Sequence, residues 1–393
     1  MDDASPVRAR ALELIAELGP AFRERAPEYD REARFPFENY ADLRDAGLLG
    51  LCVPTRYGGM GAGFRDYMHV GAALGRYCPM TALTLNMHTQ TVLWTGVIAD
   101  DLAMTEAERA RHESIRAGLY AAIIEDGAIQ AQPLSEGLAK GATVGVMTKA
   151  TPVDGGFLVS GRKIFASLAG AAAAYNLTCV VPGEDRLRFL SVAADNPGVQ
   201  ITGVWDTLGM RGTDSRDLVF DEAFVPAEAE LLPPGFFGQI ADRWPYVYMT
   251  LTPAYVGLTD AVVEFVQEYL SGAGRPGFAA RRDSAAKQWG WAEIQVLAER
   301  SRATWERTVD EAAADPTPQQ LRRALVATYT VMETAQEVAA KAIRVCGGTT
   351  IMKRLPLEQH YRDARCGSLM NPWSAEACLE RLGRFGLFDD EGG

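Results

Sequence analysis

Apolar side chains recur at helical spacing through the first third of the chain, in "ARALELIAELGPAF", "FENYADLRDAGLL" and "FRDYMHVGAALGRY", which predicts helices from Val7 to about Gly118. Pro20, Pro36, Pro54 and the cluster Gly58-Gly59-Met60-Gly61 are expected to punctuate them. From about Leu119 to Glu230 the texture changes to short β-branched runs between turn residues, and Asp154-Gly155-Gly156 in "TPVDGGFLVSG" fits a hairpin turn. After the breaker "LLPPGFFG" the helical period returns in "PAYVGLTDAVVEFVQEYL", "AKQWGWAEIQVLAERSRATWERTVDEAA" and "QQLRRALVATYTVMETAQEVAAKAIRVCGG". Loops such as "ADPTPQ" are short, so neighbouring helices should pack antiparallel. The pattern predicts an α+β multidomain chain: an N-terminal helical domain over 1–118, a central β-domain over 119–235 and a C-terminal helical bundle over 236–393.

Composition narrows the class. A chain of 393 residues exceeds what one core organises, and 48% apolar against 23% charged residues is the balance of an ordinary globular protein. A net charge of -12 argues against a sequence-independent grip on nucleic acid. The start "MDDASPVRAR" lacks the cationic and apolar regions of a secretory signal, and no run approaches a membrane span, so a cytoplasmic location without membrane partners is expected. The six cysteines are scattered and form no C-x-x-C, which predicts buried free thiols rather than a zinc site or a redox dithiol.

Generic motifs add little. "GGMGAG" has Phe64 where a dinucleotide fingerprint needs its third glycine and sits in a helical context, so it reads as a loop. His112-Glu113 has no second histidine for a zincin helix, and no G-x-S-x-G elbow occurs.

Three longer segments carry more. "LRDAGLLGLCVPTRYGGMGAG" (Leu43 to Gly63), "WDTLGMRGTDSRDLVFDEAFVPAE" (Trp205 to Glu228) and "CGGTTIMKRLPLEQHYRDAR" (Cys346 to Arg365) resemble, in order and spacing, the entry segment, the end of the β-domain and the C-terminal block of the acyl-CoA dehydrogenase superfamily. The resemblance implies an N-terminal helical domain, a central small β-barrel domain and a C-terminal four-helix bundle, with FAD bound between the β-domain and the bundle. It places Ser135 at the pyrimidine end of the flavin, Phe165 at the flavin-covering aromatic position and Ser167 near the flavin N5. It further implies that Arg275 and Phe278 reach the cofactor from a neighbouring subunit, and that Gly347 and Gly348 let the backbone approach the dinucleotide. A homodimer or homotetramer follows. Departures are also visible: Gly141 and Ala142 replace the family's Ser and Asp, the Gln beneath the adenine falls near Ala285, and the Gln before Gly-Gly is Arg344.

Catalysis is where the chain departs most. The family's base, nine residues after the Arg of R-D, falls on Asn371, and its alternative position falls on Val247. An amide is no general base at neutral pH, although the Asn371 N–H could donate to a thioester carbonyl. Tyr248, Tyr246, Glu376 and Asp260 are the nearby titratable candidates. The aromatic run "WPYVYMTLTPAY" replaces the Arg and Asp that hold pantetheine in relatives. The leading expectation is α,β-dehydrogenation of an acyl thioester, on CoA or on an acyl carrier protein, with electron-transfer flavoprotein or oxygen as acceptor. Two alternatives stay open: a flavin-dependent monooxygenase or oxidase of a small substrate, and a flavin-free or non-redox descendant.

Overall fold

The computed structural model describes residues 5–137, 145–272, 281–385 and 387–388. The chain begins with α1 (Pro6–Glu32), capped by the Ser5 hydroxyl, which accepts from Arg8 N at 3.1 Å. Pro20, expected as a breaker, lies inside this helix together with Pro27. Burial of Ile15, Phe22 and Tyr29 along one face, worth about 1.5–3 kcal/mol each, offsets the roughly 3 kcal/mol that each interior proline costs. Then follow α2 (Phe37–Asp45), α3 (Phe64–Gly75), α4 (Pro79–Thr95), α5 (Val97–Asp100) and α6 (Glu106–Glu125). Thr105 and Glu108 cap α6 reciprocally. Leu119–Glu125, read from its texture as the start of the β region, forms the last turns of α6, because Tyr120 and Ile123 fall three apart on its buried face.

The strands are β1 (Gln130–Ala131), β2 (Lys149–Val153), β3 (Gly156–Lys163), β4 (Ala174–Val180), β5 (Leu187–Ala193), β6 (Val199–Thr202), β7 (Asp217–Pro226) and β8 (Glu230–Leu232). They run in the order β6-β7-β3-β2-β4-β5-β8, with β1 added parallel to β4. A single parallel pair, Lys149 with Val180, joins the two halves, and contact of β5 with β7 brings the sheet round onto its own core. The predicted hairpin joins β2 to β3, turning at Gly155 with φ +78°. A Cβ on Gly156 would lie 2.1 Å from the Val225 carbonyl, so this close approach of β3 to β7 needs glycine.

The last third holds α7 (Phe236–Arg243), α8 (Thr252–Ser271), α9 (Ala285–Asp310), α10 (Pro318–Cys346), α11 (Pro356–Gly367) and α12 (Ala375–Arg384). α8, α9, α10 and α11 pack as a four-helix bundle, and α3 and α4 lie against α8. Among the described residues no helix is long and apolar enough to cross a membrane.

Two features set up the site. The first is α4, buried on every side yet rich in polar residues. Its His88 accepts from Gln130 N and donates to the Leu49 carbonyl, and burial pushes the imidazole down to about 4, so it stays neutral. Its Asn86 accepts from the Tyr67 hydroxyl (2.9 Å), Thr91 meets Asn176 of β4 (3.4 Å), and Gln90 donates to the Val247 carbonyl (2.9 Å). One helix thereby ties the N-terminal helices, the sheet and the bundle together.

The second is an ionic junction. Arg362 of α11 grips Asp30 of α1 through two hydrogen bonds (2.8 and 2.6 Å) and donates to the Leu208 carbonyl (3.0 Å), while Arg211 donates to the Asp30 carbonyl (2.8 Å). Gly209 packs so tightly here that a Cβ would sit 2.3 Å from the Arg362 carbonyl oxygen. The loop from Trp205 to Arg216 is thus held between α1 and α11.

Candidate functional site

Beyond Lys163, β3 continues into a loop that lies against the Met210–Arg216 segment. Ala166 N donates to the Arg216 carbonyl (3.0 Å), Leu168 N to that of Thr213 (3.1 Å) and Ala169 N to that of Asp214 (3.1 Å). The paired loops hold Phe165, Leu168, Met210 and Asp214 in the left-handed region, at φ between 45° and 72°. Such backbone costs of order 1–3 kcal/mol per residue and persists only where its surroundings over-determine it. The consequence is a displayed aromatic: Phe165 is 66% exposed and stands edge-on to Trp205 at 6.2 Å, whose indole N–H donates to the Met210 carbonyl (3.1 Å).

Beside Phe165 lies a row of hydroxyls. Ser167 Oγ is 2.8 Å from Ser215 Oγ, which is 2.8 Å from Thr213 Oγ1, and Thr213 donates to the Met210 carbonyl at 2.9 Å. Met210 N donates to Asp363 Oδ1 of α11 at 2.5 Å, and burial pushes the Asp363 carboxyl up to about 7.

Ser135 joins the same region from the other side. Its carbonyl accepts from Ile164 N at 2.8 Å, and the next residue, Glu136, forms a buried ion pair with Lys163. Glu136 also accepts from Met147 N (2.5 Å) and Thr148 N (3.2 Å), while Lys163 donates to the Thr178 carbonyl (3.0 Å). Burial holds the Lys163 ammonium below the usual lysine range. The ion pair knits the Ser135 segment to the base of the Phe165 loop, so Ser135, Phe165 and Ser167 occupy adjoining segments.

Gly347 and Gly348 stand at the C-terminal end of α10, Gly347 at φ +94°, and a Cβ on either meets nothing within 4 Å. The backbone there is open to a ligand. Arg275, Phe278, Gly141 and Ala142 lie outside the described residues.

Asn371 is exposed, and its N–H has no hydrogen-bond partner among the described residues. Two residues on, Trp373 is buried against the Tyr248 ring at 5.7 Å. Burial raises the Tyr248 phenol above its ordinary value, which makes it a poorer base still. Glu376 is exposed in the first turn of α12. Val247 offers its carbonyl to Gln90, Tyr246 buries a hydroxyl with no partner among the described residues, and Asp260 is ion-paired with Arg302 of α9. The structure therefore gathers Tyr248 at the Asn371–Trp373 turn with Glu376 nearby along the chain, and engages Asp260 elsewhere.

A flavin's needs are a flat apolar cover, donors along the ring's polar edge and open backbone for a phosphate. Phe165 with Trp205 and Ser135 with Ser167 offer the first two in adjoining segments, and Gly347-Gly348 offers open backbone separately, at the C-terminal end of α10. A further match is Gln132, three residues before Ser135 and 5% exposed, whose amide nitrogen and oxygen both lack a partner among the described residues. Buried amides are seldom left so unless something completes them. Sequence reasoning gave no role at the site to Gln132, Glu136, Lys163, Trp205, Thr213 or Ser215, although Trp205, Thr213 and Ser215 lie in a segment that carries the family resemblance. A signal existed for one: Lys163 falls in phase with Phe157 and Val159 on the buried side of β3, where a lysine is out of place unless paired.

Comparison with known proteins agrees with this architecture. Residues 13–100, 133–223 and 249–371 match, in turn, the N-terminal, middle and C-terminal domains of acyl-CoA dehydrogenase. The putative acyl-CoA dehydrogenase YdbM of Bacillus subtilis (strain 168) is 27% identical over 94% of this chain and 95% of its own. The L-evernosamine nitrososynthase of Micromonospora sp. is 26% identical over 96% of this chain and 90% of its own. Among solved structures, KijD3 in complex with FMN and a dTDP-3-amino-4-keto sugar superposes with a TM-score of 0.83 at 25% identity, covering 98% of this chain and 94% of that one. The matched domains, their order and the observed fold place the chain in the acyl-CoA dehydrogenase family of flavoenzymes.

Proposed function

We propose that this protein is a flavin-dependent monooxygenase that places one oxygen atom of dioxygen on a small polar substrate, with an amine nitrogen the first class to test. The observation that carries this is the absence of a carboxylate where α-proton abstraction requires one: Asn371 and Val247 occupy both positions, and the adjacent Tyr248 phenol is held protonated by burial. The similarity to a nitrososynthase supports the same reading. Bound flavin, once reduced, activates dioxygen. The balance is substrate, dioxygen, two electrons and two protons giving hydroxylated substrate and water. In this reading Ser135 and Ser167 orient the ring by its polar edge, and Phe165 with Trp205 keeps water from its face. Residues for the ring are kept while the adenine position carries Ala285, so FMN suits the site better than FAD.

The second reading, dehydrogenation of an acyl thioester, draws its support from the Asn371 N–H, which has no partner among the described residues and is available to donate to a thioester carbonyl. Anaerobic mixing with CoA-linked and carrier-linked acyl thioesters separates the two. The oxidised wild type should keep its yellow colour and exchange no α-deuterium. Rapid bleaching would overturn the monooxygenase reading. Should thioesters bind without reacting, Asn371→Glu is expected to raise α-deuterium exchange at least tenfold.

We further propose a homo-oligomer, dimer or tetramer. On α9, Trp289 is 77% exposed and shares a groove with Ala292, Val296 and the Glu337 and Lys341 side chains of α10. Light scattering should report a multiple of 42.7 kDa for the wild type and a smaller assembly for Trp289→Glu. A wild type of 42.7 kDa at micromolar concentration counts against it.

A further inference from the structure

Ser167, Ser215 and Thr213 form a chain of three hydroxyls whose two ends differ. Thr213 and Ser215 are buried and Ser167 is half-buried at the outer end. Each hydroxyl has one proton to donate. With its own proton on the Met210 carbonyl at 2.9 Å, Thr213 leaves its oxygen open to accept from Ser215. Ser215 then has two acceptors at 2.8 Å, Ser167 and Thr213, and one proton. When it donates to Ser167, the Ser167 proton is free to point outward. When it donates to Thr213, Ser167 donates to Ser215 and shows lone pairs outward. The two arrangements differ by rotation of two O–H bonds, with no heavy atom moved.

We infer that the chain is a reversible adapter, matched to a group outside Ser167 that is a hydrogen-bond acceptor in one state and a donor in the other. The inference rests on the flavin reading of this site, where that group is the ring nitrogen N5: an acceptor when the flavin is oxidised, a donor when it is reduced. No proton passes along the chain. The hydrogen and two electrons of flavin reduction would come from the reductant, and the hydroxyls only turn. Ser215 is a positioning residue that sets whether Ser167 gives or receives.

Removing Ser215 acts unequally on the two states. With oxidised flavin, Ser167 still donates outward and loses only a donor to its lone pair. With reduced flavin, Ser167 receives from N5 and its own proton is left without an acceptor. An unmade hydrogen bond at a desolvated group costs more than the bond itself was worth. The reduced state is therefore weakened more, and the potential falls. Ser215→Ala should shift the ratio of reduced to oxidised flavin affinity about tenfold, or about 30 mV for a two-electron couple. Ser215→Thr should stay near wild type. Thr213→Val should fall in the same direction as Ser215→Ala, because it leaves the Ser215 proton without an acceptor in the reduced state.

The test is an anaerobic dithionite titration against a reference dye, on protein loaded with FMN or FAD, with affinity for oxidised flavin read by fluorescence quenching. Lower potentials in both Ser215→Ala and Thr213→Val, with Ser215→Thr unchanged, support the adapter. If Ser215→Ala does not fold, Thr213→Val carries the same comparison alone. Equal potentials in flavin-loaded wild type and variants overturn the adapter and leave the flavin reading intact. A wild type that takes up neither flavin overturns that reading, and the adapter with it.

Discussion

Replacing Glu136 with alanine is expected to cost about 3–5 kcal/mol of folding stability and to release bound flavin. Lys163 is fully buried, and Glu136 is its only carboxylate partner among the described residues. Without it, the ammonium keeps only the Thr178 carbonyl, so a charge is left in a low-dielectric site. The same change frees Met147 N and Thr148 N and loosens the segment that presents Ser135. The double variant Glu136→Ala with Lys163→Met should recover most of the loss, because a buried pair exchanged for an apolar side chain is often near neutral. Urea denaturation of the three proteins reads both results. A single-variant loss under about 1 kcal/mol, as for an exposed pair, would contradict the placement of this pair in the core.

Asp363 should make stability fall as pH rises through neutrality. Burial lifts its carboxyl from the ordinary carboxylate range to about 7, so the folded chain binds this proton more tightly than the unfolded chain does. The contribution is complete below about pH 4 and is lost by the time pH passes 7. Its size is about 4 kcal/mol at about 1.4 kcal/mol per pH unit. Asp363→Asn keeps an oxygen to accept from Met210 N and carries no proton to lose. The stability difference, variant minus wild type, is therefore expected to grow between pH 5 and pH 8 in the variant's favour. A difference that stays constant over that range would show that Asp363 titrates normally.

Helical period and turn chemistry were sufficient to read three successive regions and the hairpin at Gly155, while Phe165 and Ser167 were singled out only through the family resemblance. The regions and the hairpin are local: a few neighbouring residues determine them. The features that position the site are not. Glu136 and Lys163 are 27 residues apart, and Asp30 and Arg362 are 332 apart, so nothing near either partner announces the other. α4 hid its role because a helix buried on all sides has no polar face to give it a period. Pro20 misled because its propensity is a local cost, met by burial that only the folded chain supplies. The row from Ser167 to Thr213 depends on two loops in left-handed backbone meeting across the sheet edge, a geometry that residue type alone does not specify.

The most direct measurement of the proposed activity is a single turnover with isotopic oxygen. Protein loaded with flavin and reduced chemically would be mixed with ¹⁸O-labelled dioxygen and a panel of small primary amines, amino sugars included, and the products weighed by mass spectrometry. A product carrying one ¹⁸O atom, with the second in water, is the predicted result. Hydrogen peroxide as the sole oxygen product across the panel, together with anaerobic bleaching of the oxidised protein by an acyl thioester, would contradict it.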